Sequence, residues 1–187
     1  ALQLGLNDLP WLPGDRLLIG PTEHHALHGA ATRLRARGVV VETLPLGADE
    51  GPDLDALETA LRAGGVRLVA MAWASNVTGT VIDAATVVGL AHAHGALCLL
   101  DAAQTAGVLD LDLDGLGADL VAIAGHKGPQ GPQGVGVLVQ GSGVPDGAPG
   151  TDWTSAGPPD PGPTGFCDAG SVNLAGLAGM VAGLRGL

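Results

Sequence analysis

Short apolar runs alternate with stretches of helical spacing along this chain, and that order leaves few folds open to it. The runs at 16–19, 39–41, 66–73, 96–100, 120–124 and 135–139 read as strands, bounded by turn residues and rich in Val, Leu and Ile. The run at 66–73, Val-Arg-Leu-Val-Ala-Met-Ala-Trp, is apolar enough for a strand covered on both faces. Residues 1–8 read as the last turns of a helix. Helical spacing follows at 24–36, with Gly38 placed to stop it. Asp53 can cap a helix running to Ala63 before Gly64-Gly65, and Asp83 can cap another that ends at Gly95. This alternation predicts an α/β fold, a mainly parallel sheet flanked by helices with right-handed crossovers. Runs 120–124 and 135–139 lie too close for a helical crossover, so the last strand is expected to be antiparallel.

Two further stretches complete the order. Residues 141–165 hold thirteen Gly or Pro in twenty-five positions and read as an irregular loop, and 172–185 can form a Gly/Ala-rich helix. Asp110, Asp112 and Asp114 alternate with Leu, which predicts an edge strand with one wet face. The expected organisation is therefore a domain over 1–140, the Gly/Pro-rich loop over 141–165, and over 166–187 the start of a helix leading onward. A chain that starts and stops in helices reads as part of something longer.

Composition narrows the function. A net charge of −11 argues against a surface built for nucleic acid or anionic lipid. No apolar stretch reaches the ~18 residues of a membrane span, and the start lacks the basic flank of a signal peptide. Two cysteines, Cys98 and Cys167, make no disulfide framework. The expectation is a soluble, cytoplasmic domain. Of the eight Lys and Arg residues only one, Lys127, is lysine. Lysine can shed its proton and form a Schiff base where arginine cannot, so a lone survivor of an arginine-biased composition is a candidate for chemistry. A lysine left by chance in an exposed turn is the plain alternative.

In parallel α/β sheets ligands bind beyond the C-terminal strand ends. Here the run 66–73 leads into Ser75-Asn76, 96–100 into Asp101 and then Gln104, and 120–124 into Gly125-His126-Lys127. An Asp, an Asn, a Gln, a His and the sole Lys thus gather on one rim. Pyridoxal phosphate needs such a set: a lysine for its aldehyde, a carboxylate for its ring nitrogen and donors for its phenolate oxygen. Asp101 could instead cap the turn that follows it.

These residues carry a resemblance. Ser75-Asn76-Val77-Thr78-Gly79-Thr80, Leu100-Asp101-Ala102-Ala103-Gln104-Thr105-Ala106-Gly107, Gly125-His126-Lys127-Gly128 and Gly131-Pro132-Gln133-Gly134 are similar, in order, to motifs of cysteine desulfurases. Pro21-Thr22-Glu23-His24-His25-Ala26 and the stretch Phe166 to Gly179 fit the same pattern. That family belongs to the class V aminotransferase-like branch of fold-type I pyridoxal-phosphate enzymes. The resemblance implies most of the large domain of such an enzyme, truncated at both ends. It implies that Lys127 carries the cofactor and moves the Cα proton, Asp101 pairs with the ring nitrogen and His24 stacks over the ring. Asn76 and Gln104 would bond the ring-side oxygen, and His126 the phosphate.

The activity so implied converts L-cysteine to L-alanine with sulfur transfer to a protein persulfide, in a homodimer that meets a sulfur-acceptor protein. The phosphate loop would precede Ala1, and the domain with the catalytic cysteine would follow Leu187. Ala124 departs from the pattern, which has Ser or Thr there, so one phosphate contact is lost. Cys98 lies within a strand and reads as core; Cys167 does not match the persulfide position. Aminotransferase or selenocysteine lyase chemistry, and an inactive or weakly cofactor-binding remnant, are the rival readings. A nucleotide-binding module lacks its glycine fingerprint here. His24 and His28 share a helical face, but nothing in the sequence completes a metal site.

Overall fold

A computed structural model describes residues 1–7, 9–141, 143–144 and 173–186. Among these residues six strands form one sheet in the order β2-β1-β3-β4-β5-β6. They are β1 Arg16–Ile19, β2 Val40–Thr43, β3 Val66–Ala72, β4 Leu97–Asp101, β5 Leu120–Ala124 and β6 Gly136–Gln140. All neighbours pair in parallel except β5 and β6, which are antiparallel as the short connection requires. The helices are α1 Leu2–Asn7, α2 His25–Ala36, α3 Leu54–Arg62, α4 Ala84–Ala93, α5 Leu113–Leu116 and α6 Leu174–Leu184. None of them, among the described residues, is long and apolar enough to cross a membrane.

The two-residue period of the strands sorts the core into two layers. Leu17, Ile19, Leu68, Ala70 and Leu99 point to one face, where Leu6 of α1 and Leu27, Ala31 and Leu34 of α2 cover them. Leu18, Val69, Met71, Cys98 and Leu100 point to the other, under Leu57 and Leu61 of α3 and Val87 and Ala91 of α4. A sheet buried on both sides explains why its central strands read as unbroken apolar runs. The helix starts fall where capping chemistry puts them. Asp53 accepts from Ala56 N–H at 3.0 Å and Asp83 from Thr86 N–H at 3.1 Å.

One expected element is different. Residues 109–114 do not form an edge strand: Asp112 caps the short helix α5, accepting from Gly115 N–H at 2.9 Å, and Gly117 closes it at φ 69°. A local side-chain bond to the backbone outweighs the period-2 pattern. His92, in the last turn of α4, reaches across to Asp119, with Nε2 2.8 Å from Oδ2. The same Asp119 oxygen accepts from Cys98 N–H at 2.7 Å, which ties α4, β4 and the start of β5 together. The 141–165 loop lies outside the described residues apart from Gly141, Gly143 and Val144.

Candidate active site

The parallel strands β3, β4 and β5 end side by side, with Ala72 in register with Asp101 and Asp101 with Ala122. Their exits form the rim of a cavity of about 510 Å³, within the usual range for small-molecule sites. His24, Asn76, Asp101, Gln104, His126 and Lys127 all line it. The six candidates, scattered over about a hundred positions of sequence, are brought to one place by strand register.

Each is held by local structure. Ser75 Oγ accepts from both Val77 and Thr78 N–H at 3.2 Å, and Gly79 at φ 79° closes the turn that presents Asn76. Asp101 is the last residue of β4 and is nearly buried; one oxygen accepts from Ala103 N–H at 3.0 Å. The turn-capping alternative is therefore real, and it uses one oxygen of two. Lys127 sits on a loop pressed against its neighbour: a Cβ on Gly128 would collide with the Ala106 carbonyl, so only glycine fits beside the lysine. His24 caps α2, its Nδ1 accepting from Ala26 N–H at 3.2 Å. That bond leaves Nε2 to carry the proton of the neutral ring.

Electrostatics fit a cationic aromatic ligand. Burial pushes the Asp101 carboxyl above its usual range, while the Ala103 bond and the charges of Lys127 and His24 pull it back. A protonated ring nitrogen against it would compensate the buried charge. His24 is shifted down, first by burial and then by His25 and Lys127, which favours the neutral ring suited to stacking. The donor set, a lysine, an acid, two amides and two imidazoles around one cavity, fits pyridoxal phosphate. Ala124 lines the cavity with a methyl group, so it offers no hydroxyl there.

Glu23 was legible only as a letter in a motif. Its carboxyl is pushed up to about 7, chiefly by burial and further by Asp101, against the pull of the Ala72 and Gly20 N–H groups. A lone Glu beside Pro-Thr carries no sequence signal for this, because its partner is a backbone N–H 49 residues away. Cys98 is fully buried, and burial together with Asp119 pushes its thiol up to about 12. Among the described residues no cluster of His, Cys, Asp and Glu could hold a metal ion.

The fold is of the fold-type I class that pyridoxal-phosphate enzymes use. Residues 1–149 match the family model of aminotransferase class-V, and the chain belongs to that family. It is 37% identical to a cysteine desulfurase of Dickeya dadantii, over 92% of this chain and 44% of that protein. It is 33% identical to the cysteine desulfurase CsdA of Escherichia coli, over 94% and 45%. The apo structure of a cysteine desulfurase from Thermococcus onnurineus NA1 superposes with a TM-score of 0.81 at 31% identity, over 98% of this chain and 48% of the other. The chain thus spans about half the length of the curated relatives it matches.

Proposed function

We propose that this chain is the cofactor-binding half of a cysteine desulfurase, which takes sulfur from L-cysteine and leaves L-alanine. The observation that carries the reading is the convergence of Lys127, Asp101, His24, Asn76, Gln104 and His126 on one cavity. When bound, pyridoxal phosphate supplies an aldehyde that condenses with amines and a protonated ring that delocalises the electron pair left at Cα. Lys127 Nζ would be the amine that holds the aldehyde, and the same amine is placed to move the substrate's Cα proton. Asp101 would hold a proton on the ring nitrogen, and His24 would cover the ring and exclude water from it. Asn76 and Gln104 would orient the ring through its oxygen, and His126 would bind the phosphate.

Residues 1–140 then form the large domain, and 166–187 lead towards a domain that carries the sulfur-accepting cysteine. Cys98 does not take that role, because a buried thiol held at about 12 supplies no thiolate at neutral pH. Self-association into a homodimer is part of the reading. Val77 and Val108 stand 78% and 67% exposed on the loops that follow Asn76 and Gln104, an apolar rim suited to a second copy. The persulfide would pass to an acceptor protein, and the setting is cytoplasmic.

Absorbance tests the cofactor half directly. Pyridoxal phosphate added to the wild-type chain gives a protein-bound visible band, and Lys127→Ala abolishes it while the fold persists by circular dichroism. Identical spectra for the two proteins would contradict the reading.

A further inference from the structure

Strand β1 leaves the sheet after Ile19, which is paired with Ala70. Gly20 N–H still reaches the Ala70 carbonyl at 3.3 Å, and beyond that β3 runs on without β1. Backbone groups of a strand face its two neighbours alternately, so Ala72 points its N–H to the place a longer β1 would occupy. A buried N–H left there unpaired would be costly. Glu23 takes the place: its two carboxylate oxygens receive that N–H at 2.8 and 3.0 Å. Gly20 leaves room for this, because a Cβ there would push Glu23 Oε1 from its place.

The clamp is next to the cofactor cradle on both sides. Across β3, Ala72 is in register with Asp101, and Trp73 N–H donates to the Asp101 carbonyl at 3.0 Å. Along the chain, the residue after Glu23 is His24, whose ring caps α2. We propose that Glu23 is a positioning residue: its carboxylate clamps the 20–24 loop to the end of β3 and thereby fixes the His24 ring beside the Asp101 carboxylate. The proposal rests on the pyridoxal-phosphate reading for its purpose, but the clamp itself needs no ligand. The charged and titratable groups around it are Asp101 from β4, His24 and His25 from its own segment, and Lys127, which acts on both His24 and Asp101.

Nitrogen-15 NMR of the whole chain, first without cofactor, tests the clamp. The Ala72 amide resonance of the wild type moves with a midpoint near the Glu23 value of about 7 and stays still in Glu23→Gln. The His24 ring of the wild type shows the tautomer with a bare Nδ1, and in Glu23→Ala it averages between tautomers. Added pyridoxal phosphate then reads the consequence. Its dissociation constant rises roughly tenfold in Glu23→Ala, as expected for losing a charge-assisted hydrogen bond.

Glu23→Gln keeps the shape but not the charge, so its deficit against the wild type widens between about pH 6 and about pH 8, as Glu23 ionises. An Ala72 amide that does not titrate overturns the clamp. So does a His24 tautomer unchanged in Glu23→Ala, or equal cofactor affinity of that variant and the wild type. A clamp seen by both nuclei, with no cofactor bound by any of the proteins, instead overturns the pyridoxal-phosphate reading.

Discussion

Asp101 is a carboxylate that folding alone does not reward. It is nearly buried, has one backbone donor, and holds its proton more tightly than an ordinary Asp. In the proposed site its value would lie in a cationic partner. Asp101→Asn therefore keeps the Ala103 bond and the shape but weakens pyridoxal-phosphate binding by about tenfold or more, measured by equilibrium absorbance titration. Ala124 predicts the opposite sign. Ala124→Ser puts a hydroxyl on the cavity wall, and one added hydrogen bond to a phosphate tightens cofactor binding by about threefold to about tenfold. Glu23 makes a prediction about pH. Its carboxyl is raised in the fold to about 7 from an unfolded value near 4.5, so the neutral form is the one the fold prefers. The contribution is fully present below the unfolded value and is lost as pH rises through the folded one. Urea denaturation at about pH 5 and about pH 8 should show the wild type losing on the order of 3 kcal/mol that Glu23→Gln does not lose.

At the scale of elements, the sequence disclosed what depends on pattern and missed what depends on distant backbone. Strands β3, β4 and β5 were legible because sheets covered on both faces need unbroken apolar runs, and Asp53 and Asp83 because capping is local chemistry. That the candidate residues would meet was legible for a related reason: strand ends of a parallel sheet converge, so polar residues after apolar runs share a rim. The leucine–aspartate alternation at 109–114 misled, because period 2 says nothing about which carboxylate turns back to cap its own chain. Asp112→Ala removes that cap and costs about 1 kcal/mol in chemical denaturation. Asp119 and Glu23 escaped notice together. Both answer backbone N–H groups far away in sequence, Cys98 and Ala72, and only the folded register creates those obligations.

At the scale of the molecule, the proposed function gives the chain one half of a divided chemistry, the half that would bind and polarise, while burial holds Cys98 as the thiol. The apolar rim at Val77 and Val108 belongs to this scale too. Sedimentation velocity should find the wild type dimeric and a Val77→Asp/Val108→Asp variant monomeric; a monomeric wild type would remove the dimer from the account. The central claim is that Lys127 carries pyridoxal phosphate, and its uniqueness makes one measurement decisive. Borohydride reduction of the cofactor-loaded chain, followed by peptide mass mapping, should place the pyridoxyl adduct on Lys127, since the sole other amine is the N-terminus. An adduct confined to the N-terminus, or none on a folded chain, would contradict the account.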